Sequence, residues 1–149
     1  MDKIHSIILV IDINNFQKYH TDIQKFFDDI KMIPQKDILI YSAEPVSDYT
    51  SIKKILADEI NIIYSKDFFP LKIAVKPSVQ NILNKKRYNI VVHFSNANYL
   101  RPTYLLAKIL NADIKISNHL NYQKKFSVII HNTEKYFEQV KNYLDKLII

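Results

Sequence analysis

The chain contains no cysteine, which excludes disulfides, thiolate metal ligands and a cysteine nucleophile, and which suits a reducing compartment. It contains no glycine either, where average usage of about 7% would give roughly ten in a chain of this length. A P-loop and a G-x-G-x-x-G turn are therefore absent, because both need residues without a Cβ where the backbone meets phosphate. The G-x-S-x-G elbow that strains a catalytic serine is excluded on the same ground. Arginine is scarce: only Arg87 and Arg101 occur, so lysine carries the net charge of +6. Lysine is a hydrated point charge, whereas the planar fork that grips phosphate or a guanine edge belongs to arginine. A nucleic-acid surface is permitted by this charge and not indicated by it.

Long hydrophobic runs are lacking as well. The N-terminal run SIILVIDI is broken by Asp12 and followed by Asn14 and Asn15, with no small-residue cleavage site. Nothing approaches the roughly 20 apolar residues of a membrane helix. A cytoplasmic location without membrane insertion is the expectation. Missing Gly and Trp beside abundant Ile, Lys, Asn, Tyr and Phe is the composition of a strongly AT-biased genome, so counts of lysine or asparagine carry little weight.

What is present is a fold pattern. With 149 residues, 48% of them hydrophobic and 12% aromatic, the chain has material for one domain, 1–149, around a single core. His5 to Asp12 is a continuous β-branched run, short enough for a buried strand. Phe16, Tyr19, Ile23, Phe26, Phe27 and Ile30 then share one face of an amphipathic helix that ends before Pro34. Asp37 to Ser42 reads as a second buried strand, Ser51 to Glu59 as a short helix and Asn61 to Tyr64 as a short strand. The stretch from Ser65 to Val75 reads as irregular, and Pro77 opens a helix through Lys86.

Tyr88 to Phe94, YNIVVHF, is the strand expected near the middle of a parallel sheet. Pro102 opens a helix to Asn111 whose apolar residues leave little polar face. A strand from Asp113 to Ser117, another from Ser127 to His131, and a final amphipathic helix capped by Asn132 complete the pattern. Alternation of this kind predicts an α/β domain: an open, mostly parallel, twisted Rossmann-like sheet with helices on both faces. The connection from Ser117 to Ser127 is shorter than the dozen or so residues of a usual parallel crossover. Either the last strand is antiparallel or this loop leads to a sheet edge.

In such a sheet, ligands bind beyond the carboxyl ends of the strands. The candidate ligand-binding residues there are Asn14, His93, Ser95, Asn96, Asn98 and Arg101, with Asp12, Asn15, Ser42 and Glu44 beside them. Arg101, at a helix start, could hold a carboxylate or phosphate, although arginine there is also ordinary surface chemistry. His93, His119 and His131 each fall near a strand's carboxyl end, so they converge if all three strands are parallel. None of their spacings is a metal signature, and no metal site, catalytic residue or cofactor is assigned. The carboxylates of the helices read as solvated faces. Tyr99, Tyr104, Tyr122, Tyr136 and Tyr143 with Lys108, Lys124, Lys125, Lys135 and Lys141 make the C-terminal half basic and aromatic, as in platforms for single-stranded nucleic acid.

The succession IILVIDINNF, DILIYS, YSKDFF, YNIVVHFSNANYLRPTYLLAKILNADIKIS and FSVIIH, with its final helix, resembles a family of small proteins of unknown function from Bacteroidota, over nearly the whole chain. That family's central strand, helix and following strand correspond to Tyr88 to Val92, Leu106 to Ala112 and Ile114 to Ser117. Ser117 stands where the family has glycine, so a close backbone approach to a ligand there would be lost. The segment from Tyr88 to Ser117 is also similar to part of the acceptor-side domain of heptosyltransferase-type glycosyltransferases. Enzymes of that type need a second nucleotide-sugar domain, for which 149 residues leave no room, so that likeness implies fold alone.

The function expected is a non-enzymatic α/β domain that binds another protein, on two grounds: no catalytic constellation is present, and the helix from Pro102 is too apolar to stand uncovered. The alternative is a small-molecule or anionic-ligand binding domain, a degenerate enzyme, at the carboxyl edge. A third reading is nucleic-acid binding through the lysine- and tyrosine-rich half.

Overall fold

Five apolar residues in succession, Ile7 to Ile11, bury both faces of strand β1 (Ser6–Asp12), which is only possible in a layer covered on both sides. The computed structural model describes residues 3–55, 57–72, 74–95, 101–119, 126–131 and 134–148, apart from the side chains of Ser51, Lys72, Arg101 and Ile148. After β1 come α1 (Ile13–Lys18), α2 (His20–Asp29), β2 (Gln35–Ser42), α3 (Thr50–Lys53), β3 (Glu59–Tyr64), α4 (Pro77–Leu83), β4 (Arg87–His93), α5 (Arg101–Ile109), β5 (Asn111–Ser117), β6 (Val128–Ile129) and α6 (Tyr136–Ile148).

The six strands form one sheet in the order β3-β2-β1-β4-β5-β6, and every neighbouring pair is parallel. This is a Rossmann-like open sheet, with its strand order reversing between β1 and β4. Leu9 of β1 lies opposite Ile38 of β2 and Val92 of β4, so like residues stack across the centre of the layer. The last strand runs parallel to β5, with Ser117 opposite Ile129, and forms the sheet edge. Of the two routes open to the short connection, the chain takes the one to the edge; residues 120–125 of that connection, like Asn132, lie outside the described residues.

The alternation of side chains divides the core in two. Ile7, Leu9, Ile11, Ile38, Ile40, Ile90 and Val92 face α1, α2, α3 and α6, where Phe16, Phe27, Tyr136 and Leu144 cover them. Ile8, Val10, Leu39 and Val91 face α4 and α5, where Leu105, Leu106, Ala107 and Leu110 are buried. The apolar face of α5 is thus covered by the chain's own sheet. A partner is not needed to shield it, and that ground for expecting one is removed.

The helix expected through residues 16–30 is divided at Tyr19, whose backbone (φ −103°, ψ 22°) leaves the helical region. The bend turns the Tyr19 ring edge-on to Phe94, with centroids 5.0 Å apart, at the carboxyl end of β4. The helix expected from Ser51 shortens to a single turn, α3, with Ile52 and Ile55 buried.

At the amino end of the sheet, buried Asp37 draws three elements together: it accepts from the Tyr88 hydroxyl at 2.5 Å, from Gln35 Nε2 at 2.5 Å and from Lys86 Nζ at 3.4 Å. Lys86 also bonds Glu59 of β3. Among the described residues no helix is long and apolar enough to cross a membrane.

Candidate functional site

The carboxyl ends of β1 and β4 flank the point where the strand order reverses, and there the chain closes its own polar groups. Asp12 ends β1 and caps α1: its Oδ2 accepts from the Asn15 backbone N–H at 3.1 Å and its Oδ1 from Asn15 Nδ2 at 2.6 Å. Both residues are buried. In dinucleotide-binding sheets the pyrophosphate takes this position at the helix start. Here a carboxylate occupies it, and no glycine is present to let a backbone approach phosphate. The β1–α1 turn does not fit a dinucleotide.

A second set of polar groups lies between β4, β5, α5 and α6. His93 is 0% exposed; its Nδ1 is 2.9 Å from the Ser117 hydroxyl and its Nε2 3.0 Å from the Thr103 hydroxyl. Hydroxyls both donate and accept, so they complement the one donor and one acceptor of a neutral imidazole. Burial, with a smaller contribution from the neighbouring His119, lowers the His93 pKa from the ordinary 6.5 to about 3. A ring held neutral, bonded at both nitrogens and stacked on Phe126 at 5.5 Å is a structural post. Its backbone carbonyl accepts from the Tyr136 hydroxyl at 2.7 Å, which ties β4 to α6.

Ser95 is likewise buried. Its N–H donates to Asn118 Oδ1 at 2.9 Å, and Asn118 Nδ2 returns a bond to the Ser95 carbonyl. Asn118 in turn offers its carbonyl to His131 Nδ1 at 3.2 Å. The three histidines share this end of the sheet, as parallel strands require, yet no group of three or more metal-capable side chains is assembled among the described residues. Of the six candidate ligand residues, His93 and Ser95 are locked inside, and Asn14 is exposed on the first turn of α1. Asn96 and Asn98 lie outside the described residues, and Arg101 begins α5 without a described side chain. In the basic, aromatic half, Tyr136 is fully buried and cannot serve as a stacking surface; Tyr99 and Tyr122 lie outside the described residues.

Among the described residues, an open surface at this end of the sheet lies beyond β2 and β3. After β3 the chain makes two 3₁₀ turns, Ser65–Asp67 and Pro70–Lys72, inside a miniature hairpin. Lys76 N–H donates to the Asp67 carbonyl and Phe69 N–H to the Ala74 carbonyl, both at 2.9 Å, and Phe68 bridges Val75 in antiparallel fashion. Phe68 and Val75 are buried, with the Phe68 ring edge-on to Tyr41 at 5.5 Å, and so anchor the base. Asp67 turns inward, accepting from the Tyr64 N–H at 2.9 Å.

The tip is apolar and outward: Phe69 is 42% and Leu71 91% exposed. Leu71 has φ 60° and ψ 13°, a left-handed backbone that costs a leucine about 1–2 kcal/mol. Where the chain enters this hairpin, Ala43, Pro45, Tyr64, Ser65 and Lys66 line a cleft of about 330 Å³. Tyr49 is itself 43% exposed, and the neighbouring Tyr64 raises its pKa.

This surface was not among the residues singled out in the sequence. Its signal was the run DFFPLK in a stretch without periodicity, where apolar residues have no regular element to bury them. A larger groove of about 440 Å³ between α2 and α6 has Phe26 and Phe137 at its floor, but its walls mix carboxylates with Lys25, Lys135 and Lys141 as a solvated helix face does. No protein-family model matches the chain, and no curated protein and no solved structure matches it.

Proposed function

We propose that this chain is a non-enzymatic α/β domain that acts by binding another protein, and that its working surface is the hairpin after β3 with the adjoining cleft. The observation that carries the reading is Leu71, an apolar side chain 91% exposed on a backbone that leucine disfavours. Strain kept at an exposed apolar position is a cost to folding without a return inside the fold, and such positions concentrate where a molecule makes contacts. The closed polar groups at Asp12, His93 and Ser95 support the non-enzymatic part, since they are already bonded within the chain.

The test is retention of proteins from the source cells' lysate on the immobilised chain, after nuclease treatment. A protein retained in stoichiometric amount by the wild type and by Asn14→Ala, and lost with Leu71→Asp, is the expected result. Retention that survives Leu71→Asp contradicts the assignment of the surface.

One observation favours a second reading, an anionic-ligand site: Asn14 is exposed beside the point where the strand order reverses. On that reading, Asn14→Ala and Arg101→Ala weaken binding of inorganic phosphate or a small carboxylate measured by calorimetry. Unchanged affinity in both variants removes it.

A further inference from the structure

We infer that the partner is held by its carboxyl terminus: its last few residues lie as an added strand along the edge of β3, and an apolar final residue enters the cleft with its carboxylate on Lys66. The inference rests on the protein-binding reading above and names the chemistry of the partner. Two separate observations carry it, one at the edge and one at the cleft.

β3 is one edge of the sheet. Edge strands are ordinarily blunted by shortness, lysine, proline or a bulge. The opposite edge is short, since β6 spans only Val128–Ile129. β3, EINIIY, has no lysine or proline, and its register against β2 runs unbroken from Asp37 opposite Glu59 to Ser42 opposite Tyr64, so no bulge turns it away. Among the described residues its backbone bonds only to β2, apart from the Tyr64 N–H that Asp67 accepts. Every second residue of such a strand turns its N–H and C=O outward, where an extended segment can pair with them.

The cleft fixes which end of that segment is bound. Ala43 and Pro45 follow β2, while Tyr64 ends β3 and Ser65 and Lys66 follow it, so the cleft lies beyond the carboxyl ends of both strands. Its walls are apolar at Ala43 and Pro45, and its one charged lining residue is Lys66, which forms no ion pair among the described residues. Glu44 and Asp67 adjoin these residues in sequence but do not line the cleft, and Asp67 is turned to the Tyr64 N–H at 2.9 Å. When the Tyr41 hydroxyl donates to Ser65 Oγ, 2.9 Å away, the Ser65 hydroxyl is left to donate to the same anion as Lys66.

A ligand that suits edge and cleft together has an extended backbone, an apolar side chain and an anion on that backbone. An internal aspartate or glutamate supplies the anion only by giving up the apolar side chain at its own residue. A chain terminus supplies both at once. The bound segment therefore runs parallel to β3, as every strand of the sheet does to its neighbour, and ends where β3 ends.

Pools of short fluorescent peptides, randomised except for a fixed last residue and made both as free acids and as carboxamides, test the proposal by fluorescence anisotropy on the purified full-length chain. Free acids ending in Val, Leu or Phe should bind, and the matching carboxamides should bind roughly tenfold or more weakly. Lys66→Met should erase this preference and Lys66→Arg should keep it; the position is exposed, so both variants should retain the wild-type far-ultraviolet spectrum. In the tightest single peptide, N-methylation of alternate amides should abolish binding and methylation of the intervening ones should not, because a strand offers only every second N–H to its neighbour.

Equal binding of acids and carboxamides overturns the proposal, as does a preference that survives Lys66→Met, and as does an N-acetylated single amino acid bound as tightly as the peptides, which would make the cleft a small-molecule site. The reading beneath it fails separately. Absence of any peptide binding, beside a lysate protein still retained through Leu71, removes only the carboxyl-terminal mode, whereas a lysate that leaves nothing on the chain removes the protein-binding reading.

Discussion

At the scale of single residues, Leu71 and His93 set opposite problems, one exposed where it should be buried and one buried where it should be charged. Leu71→Asn replaces leucine by a residue that tolerates the left-handed region. The expected outcome is an unfolding free energy from urea titration equal to or above the wild type's, by up to about 1 kcal/mol, together with loss of partner retention. A variant that loses stability would mean that the Leu71 side chain packs within the fold.

His93 carries a pH dependence whose sign is set by its lowered pKa. Its folded value of about 3 lies below the ordinary 6.5, so the unfolded chain binds more protons between those values. The contribution of a neutral His93 is therefore fully present above pH 6.5 and is lost progressively as pH falls from 6.5 towards 3. In that window the wild type should lose about 1.4 kcal/mol per pH unit more than His93→Gln, the equivalent of one proton. Parallel stability curves for the two proteins would contradict the assignment. Leu71 was not legible in the sequence as it functions, and His93 only in part: a histidine ending an apolar strand reads as a hydrogen-bonded core residue or as a ligand contact until the hydroxyls of Thr103 and Ser117 are seen on both its nitrogens.

At the scale of elements, β1, β2 and β4 were legible because their apolar runs are too short for helices and too continuous for a half-exposed strand. What escaped was the bend at Tyr19, since a helical face read from Phe16 to Ile30 contains no glycine or proline to mark it. The caps and clamps are equally invisible to periodicity. Asp12 and Asn15 are three apart and readable as a cap, whereas Asp37 and Tyr88 are 51 positions apart and meet only through the sheet.

Both arrangements predict measurable losses. Asp12→Ala should cost about 1 kcal/mol as the start of α1 loses its cap. Asp37→Ala should cost about 1–3 kcal/mol, because the buried Tyr88 hydroxyl is left without its acceptor, and Tyr88→Phe in the same background should recover part of that loss. Urea unfolding of these variants and of Tyr88→Phe alone checks both; additive losses in the double variant would mean that Asp37 and Tyr88 do not depend on each other.

At the scale of the whole molecule, alternation of strands and helices was enough to reach a Rossmann-like sheet with helices on both faces. The direction of the last strand was not decidable, because the short connection after Ser117 suits an antiparallel neighbour as well as an edge; the structure makes it parallel. The proposed working surface was the larger gap. The carboxyl edge drew attention to Asn14, His93, Ser95, Asn96, Asn98 and Arg101, where dinucleotide-binding sheets hold their ligands. In this chain that end turns its described polar groups on one another, and the surface proposed in its place lies two strands along, in an irregular stretch that composition and periodicity leave unread.

The most direct measurement of that account is hydrogen–deuterium exchange by mass spectrometry on the chain alone and in its complex with the protein it retains. Slowed exchange confined to the segments 43–49 and 59–76, with 12–15 and 93–95 unchanged, is the result the account predicts. Slowed exchange at 12–15 and 93–95 with the hairpin unchanged would return the site to the crevice between β1 and β4 and contradict it.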